Sequence, residues 1–170
     1  NKKELLQYAP ELFEVINETY KNLYGVVHLT ERQREAYVKQ YFGFVIPELV
    51  PVVLDKNDRM VAFTIAIPSL SRAIQKARGQ LFPVGWFHLL RALNRFEIID
   101  TYLGAVLPEL QGRGVNAIMM ESLFNACRKF GVNTVHTNPQ LESNFKVWEQ
   151  WKYFDTRQHK RRRVFIKYLS

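Results

Sequence analysis

Tyr102-Leu-Gly-Ala-Val-Leu-Pro-Glu-Leu-Gln-Gly-Arg-Gly-Val-Asn-Ala117 is the stretch that decides the fold. It begins as a strand, breaks at Pro108 and passes through two glycines. From Val115 it continues as an amphipathic helix with Met120, Leu123, Phe124 and Cys127 on its apolar face. Gly112 and Gly114 allow a tight turn that points successive backbone N–H groups at one place. The helix start adds partial positive charge there, and Arg113 adds a full one. The expected product is a pocket for a phosphate or pyrophosphate.

Working outward, the strand spans 96–107, the helix 115–130, and a second strand runs from Val132 to His136. That strand–helix–strand order predicts a right-handed parallel crossover. On the N-terminal side, Val50–Leu54 and Met60–Ile67 are β-rich runs joined by the turn-forming Asp55-Lys-Asn-Asp58, which predicts an antiparallel hairpin. Pro10, with Leu12, Ile16, Tyr20 and Leu23 at helical spacing, predicts a helix over 9–24. Thr30 and Gln33 form a capping-box pattern that opens a helix over 31–42. Residues 69–95 are helical in two pieces. A helix over 142–153 and an extended segment over 156–169 complete a mixed α/β chain. The chain reads as one domain over 1–170, and its start at Asn1 suggests processing or excision from a longer protein.

Composition limits the function classes. Hydrophobic residues make up 47% of the 170, enough for a real core, which excludes disorder as the main state. The single Cys excludes an intrachain disulfide framework and any multi-cysteine metal site, and no metal ligand set is expected. It fits a reducing compartment, so a cytoplasmic location is expected. No run approaches the roughly 18 apolar residues of a membrane span, and no signal peptide opens the chain. The net charge of +8 is local: residues 69–95 hold five basic residues and no acid, and 157–170 hold six and no acid. The remainder is slightly acidic, which points to particular anionic partners rather than a generally basic surface.

The run Val106-x-Pro-Glu-x-Gln-Gly-Arg-Gly closely resembles the acetyl-CoA-binding motif of the GNAT superfamily of N-acetyltransferases. The family pattern of Gln or Arg, two residues, Gly, one residue, then Gly or Ala falls here on Gln111, Gly112, Arg113, Gly114, Val115 and Asn116. Asn116 departs from it, standing where a small residue is usual. Downstream, Glu142–Phe154 resembles the family's Asn-containing helix, with Asn144 matching the Asn that meets the CoA arm and Glu149 the Glu of its closing signature. Trp148 replaces the Tyr that many members use as general acid. An indole has no proton to give near neutral pH, so that role passes to another group, such as Tyr153, or to water.

The resemblance implies a mostly antiparallel central sheet flanked by helices, with 69–95 as a helical insertion between two central strands. It implies acetyl-CoA as co-substrate and direct acyl transfer to an amine, since no residue reads as an activated covalent nucleophile. Gln111–Asn116 would hold the pyrophosphate. The strand at Gly104, Ala105 and Val106 would offer a backbone N–H to the thioester oxygen, with Gly104 as an expected bulge. Asp100 matches the general base of the histone-acetylating branch. The family's first strand would be either Asn1–Tyr8 or upstream of the chain, and its closing hairpin shortens to one strand.

Blander assignments stand beside these. Asp100 would otherwise pair with an Arg or Lys of a neighbouring strand, and His136 reads as a structural histidine. Cys127 reads as core. The insertion either covers an open sheet edge with Phe82, Trp86, Phe87, Leu89 and Leu90, or forms a lid whose Arg72, Lys76, Arg78 and Arg91 face an anionic group or a membrane surface. The run His159–Arg163 suits a charged edge strand, an acidic acceptor or CoA phosphates; nucleic-acid binding is disfavoured because no recognition helix or interleaved aromatic accompanies it. The acceptor is expected to be a small-molecule or peptide amine with an anionic or apolar part. The alternative to an enzyme is a module that keeps the fold and CoA binding but has lost chemistry.

Overall fold

A computed structural model describes residues 1–168. Four strands form one sheet in the order β1 (Val52–Leu54), β2 (Met60–Pro68), β3 (Ile98–Val106) and β4 (Thr134–Thr137). β1 pairs antiparallel with β2, and β2 antiparallel with β3. The turn between β1 and β2 is closed by Asp55, whose carboxylate accepts the Asn57 and Arg59 N–H groups. Those two bonds hold its pKa below the usual carboxylate range. At the other side of the sheet, the Asn133 and Thr134 N–H groups reach the Glu97 carbonyl, and further along Thr101 Oγ1 donates to the His136 carbonyl. β4 therefore advances in the same direction as β3, as a strand–helix–strand unit requires.

The helices are α1 (Lys2–Gln7), α2 (Ala9–Tyr20), α3 (Glu31–Tyr41), α4 (Ser71–Lys76), α5 (Gly85–Asn94), α6 (Val115–Phe130) and α7 (Phe145–Gln150). α4 and α5 form the expected insertion between β2 and β3. Two clusters form the core. Phe13, Val15 and Ile16 of α2 pack with Val61, Phe63 and Ala105; Leu123, Ala126 and Cys127 of α6 pack with Leu49, Ala66 and Ile99. α6 also buries Met119, one residue round from the expected Met120.

β3 serves both clusters through a bulge. Ile99 and Ala105 have the same parity and would share a face on a regular strand. Ile65 pairs with Leu103 but Ala66 pairs with Thr101, so Tyr102 is an extra residue. That residue reverses the alternation and sends Ile99 to the α6 cluster and Ala105 to the α2 cluster. The bulge expected at Gly104 is thus at Tyr102; Gly104 pairs regularly with Thr64.

The two ends of the chain correct the expectations. Asn1–Tyr8 supplies no strand: Asn1 and Glu4 form a reciprocal capping box that opens α1. No strand forms over 156–168 either, and Val164, Phe165 and Ile166 are exposed instead of tied into the fold. The reason is visible in the run itself. Arg157, His159, Arg161 and Arg163 alternate with Gln158, Lys160 and Arg162, so neither face has apolar surface to bury. Leu169, where that strand was expected to end, lies outside the described residues. Backbone contacts divide the structure at His136: Asn1–His136 is one compact unit, and the described residues from Thr137 on form a second.

Candidate functional site

In the first unit, β3 leads through a 3-10 turn, Pro108–Leu110, to Gln111, whose Nε2 donates back to the Val106 carbonyl at 3.1 Å. Gly112 and Gly114 follow with φ of +76° and +83°, the left-handed region in which a β-carbon is strained. A β-carbon at either would meet nothing within 4 Å, so the backbone conformation and not crowding requires glycine here, and the space in front of the turn is open. α6 starts at once. Gly114 has no side chain to cap it, and its carbonyl receives the Ile118 N–H. The N–H groups of Val115 and Ala117 have no hydrogen-bond partner among the described residues. Arg113 is exposed and forms no ion pair among them. Unanswered donors and the positive end of a 16-residue helix stand at an open turn that also carries the exposed Arg113, a combination that suits the oxygens of a phosphate. Val115 is half-buried at the first helical position, and Asn116 Nδ2 approaches Met120 Sδ at 3.7 Å along the helix.

Asp100 meets a histidine where an Arg or Lys was the expected structural partner. Its Oδ1 lies 3.1 Å from Nδ1 of His136, joining β3 to β4; the Asp100 side chain is 18% exposed and that of His136 40%. With Nδ1–H donating to the carboxylate, the basic nitrogen of the neutral ring is Nε2. The pair is assembled by the register of two parallel strands 36 residues apart, so no local sequence signal announces it.

Gly104 is held by a residue of another element. Tyr20, at the end of α2, donates its hydroxyl to the Gly104 carbonyl at 2.8 Å and accepts the Gly104 N–H at 3.4 Å. Burial pushes the Tyr20 pKa above the ordinary phenol value, against a smaller lowering by the bond to Gly104, so the hydroxyl stays a donor at neutral pH. In the sequence Tyr20 is one more apolar position at helical spacing; only its meeting with the strand gives it a role. Ala105 is buried beside Gly104, while Tyr102 is exposed at the bulge, its pKa raised by partial burial and then by the Asp100 charge.

Asp100 and Gly104 are four residues apart, roughly 13 Å along a regular strand and less through the bulge. A proton moving between them requires bridging water or the imidazole of His136. Beside the end of β3 lies a cavity of about 290 Å³ lined by Glu11, Glu14, Glu18 and Glu109 with Arg59. Its carboxylates disfavour a pyrophosphate. Cys127 is buried and its pKa is raised by that burial, which keeps the thiol protonated and unsuited to nucleophilic attack.

The second unit carries Asn144 and Tyr153. Asn144 precedes α7, its carbonyl accepting the Val147 and Trp148 N–H groups while its side chain makes no capping bond. Trp148 commits its indole N–H to the Leu141 carbonyl at 3.2 Å. Tyr153 lies in the 3-10 turn Trp151–Tyr153, exposed, with Lys152 Nζ over its ring. Among the described residues no group of three or more His, Cys, Asp or Glu could hold a metal, and no helix is long and apolar enough to cross a membrane.

No family model matches the chain. Over 99% of its length it is 22% identical to Protein YghO of Escherichia coli (strain K12), and it spans 45% of that protein. Solved structures with the same fold are acetyltransferases. The aminoglycoside antibiotic 6'-N-acetyltransferase AAC(6')-Ih from Acinetobacter baumannii superposes with a TM-score of 0.58 at 10% identity, covering 96% of this chain and 94% of that one. AAC(6')-Iy, solved in complex with a CoA bisubstrate analogue, gives 0.57 at 8% identity over 96% and 93%. The chain has the GNAT acetyltransferase fold.

Proposed function

We propose that this chain is an N-acyltransferase that takes an acyl group from CoA, with acetyl-CoA as the first candidate, and passes it to an amine. The observation that carries the proposal is the open turn at Gly112–Gly114. Two left-handed glycines, unanswered N–H groups and Arg113 stand at the start of a long helix, on a GNAT fold. These residues fit a pyrophosphate in charge and in space. When bound, the CoA thioester supplies an activated acyl group. Gln111, bonded to Val106, fixes the turn; the N–H groups of Val115 and Ala117 and the Arg113 guanidinium bind phosphate oxygens. The Gly104 N–H, on leaving its long 3.4 Å bond to Tyr20, orients a carbonyl oxygen at the strand, while the Tyr20 hydroxyl holds the Gly104 carbonyl. Asp100, through His136 or water, accepts the proton of the attacking amine. Attack is direct, because the one thiol is buried and protonated. Asn144 on the CoA arm and Tyr153 as acid are further assignments, each tested by its own substitution, Asn144→Ala and Tyr153→Phe. The acceptor is a small-molecule or peptide amine.

Calorimetry with acetyl-CoA tests the core of this proposal. Saturable binding that is lost in Arg113→Glu is expected, and no heat at millimolar acetyl-CoA would overturn it. Two observations favour a second reading, a CoA-binding module without chemistry. Trp148 spends its N–H on Leu141, and Gly104 already shares its N–H with Tyr20. Thiol release that depends on added amines separates the two: CoA binding without such release would establish the module.

A further inference from the structure

The insertion between β2 and β3 leaves much of its apolar surface exposed, with Leu89 half-buried. Phe82, Trp86 and Phe87 are 74%, 46% and 55% exposed, and Leu81, Val84 and Leu90 are exposed beside them. These side chains stand on a rigid base. α4 and α5 pack on each other with Ala73 and Gly85 buried, and a β-carbon on Gly85 would lie only 1.9 Å from the Gln80 carbonyl oxygen and 3.2 Å from the Ala77 β-carbon. Trp86 donates its indole N–H to the Pro83 carbonyl at 2.8 Å, so its one polar atom is satisfied within the loop. Its ring meets Phe87 edge-on at 6.2 Å.

The same hairpin and its flank carry five cations. Arg72, Lys76, Arg78, Arg91 and Arg95 are all exposed, and none forms an ion pair among the described residues. No acidic residue lies between Ser69 and Arg95 to answer them. Burying the face against a second copy of itself would set five positive charges against five. Water leaves the aromatic side chains exposed. An anionic bilayer satisfies both sets at once: aromatic and leucine side chains enter the headgroup boundary while arginines meet lipid phosphates. α5 has 10 residues, about 15 Å, which suits a helix lying in the interface and not one crossing it.

We propose that the α4–α5 hairpin is a peripheral docking surface for an anionic lipid bilayer. The proposal is independent of acyl transfer and holds for an enzyme or a binding module alike.

Co-sedimentation of the 170-residue chain with vesicles tests it, comparing phosphatidylcholine alone with a 70:30 mixture of phosphatidylcholine and phosphatidylglycerol. Binding to the anionic vesicles is expected to be at least tenfold tighter than to the neutral ones and to weaken in 0.5 M NaCl. Each charge near the surface is worth about fivefold, so Arg78→Gln with Arg91→Gln is expected to weaken binding about 25-fold. Phe82→Ser with Phe87→Ser is expected to abolish it with an unchanged circular dichroism spectrum, because both side chains are exposed. Lipids brominated in the acyl chain are expected to quench tryptophan fluorescence in the wild type, and the conservative Trp86→Phe is expected to lose most of that quenching. Absence of binding to anionic vesicles, or binding indifferent to both double substitutions, overturns the proposal. So does a solution oligomer that the Phe82 and Phe87 substitutions disperse, since the face is then an interface between copies.

Discussion

Tyr20→Phe isolates the contact that joins α2 to Gly104 of β3. The substitution keeps the ring and removes the hydroxyl that donates to the Gly104 carbonyl and accepts its N–H. Leaving a buried polar group without a partner costs about 1–3 kcal/mol, but Gly104 is exposed, so water can replace the lost hydroxyl. The cost is then the net value of the bond, about 1 kcal/mol. With a slope of roughly 2 kcal/mol per molar urea, the unfolding midpoint falls by about 0.5 M. The pH dependence adds a second readout. Burial raises the Tyr20 pKa in the folded state, so the fold holds this proton more tightly than the unfolded chain does. That stabilisation is complete below the unfolded phenol value of about 10 and is lost as pH rises through the higher folded value. Tyr20→Phe cannot lose it, so the gap between the two proteins is expected to narrow above pH 10; Tyr102, raised in the same direction, is common to both. Urea titrations at pH 7 and over pH 9.5–11 measure this. Midpoints within 0.1 M at pH 7, with parallel alkaline profiles, would refute the contact.

Three further substitutions probe the site and its supports. Gly114→Ala forces a β-carbon into φ +83° without any steric contact, so stability is expected to fall by about 1–2 kcal/mol and acetyl-CoA affinity by about fivefold or more, read by thermal melts and calorimetry. Asp100→Asn removes the charge beside His136 and is expected to lower acyl transfer about 100-fold while acetyl-CoA affinity stays within twofold; unchanged turnover would remove Asp100 from the proton path. Gly85→Ala drives a β-carbon into the Gln80 carbonyl and is expected to cost about 3 kcal/mol, with hydrogen exchange rising over 71–94 and unchanged protection in α6.

Much of the architecture is local chemistry and can be read from the chain. α6 spans the expected 115–130 because a glycine stands before it, a glycine follows it, and its apolar residues repeat at helical spacing. The hairpin follows from Asp55, whose side chain builds the turn from within. Gly112 and Gly114 are legible for the same reason, since a left-handed backbone selects glycine wherever it occurs. Reading failed where a segment's fate depends on a distant partner. Residues 157–163 have no apolar face to bury and leave Val164, Phe165 and Ile166 exposed beyond them, and Phe82 and Phe87, read as cover for a sheet edge, stay exposed.

The sequence by itself therefore determined most of the elements, their order and the glycine turn before α6, because capping, periodicity and backbone chirality act over a few residues. Tertiary structure alone decided the rest of the candidate site. One extra residue at Tyr102 reverses the faces of β3, parallel register brings His136 to Asp100, and the end of α2 carries Tyr20 to Gly104. Each is an encounter between groups at least 36 residues apart or a register choice between strands. Such choices are made by the packing of the whole sheet, and no residue's own chemistry records them.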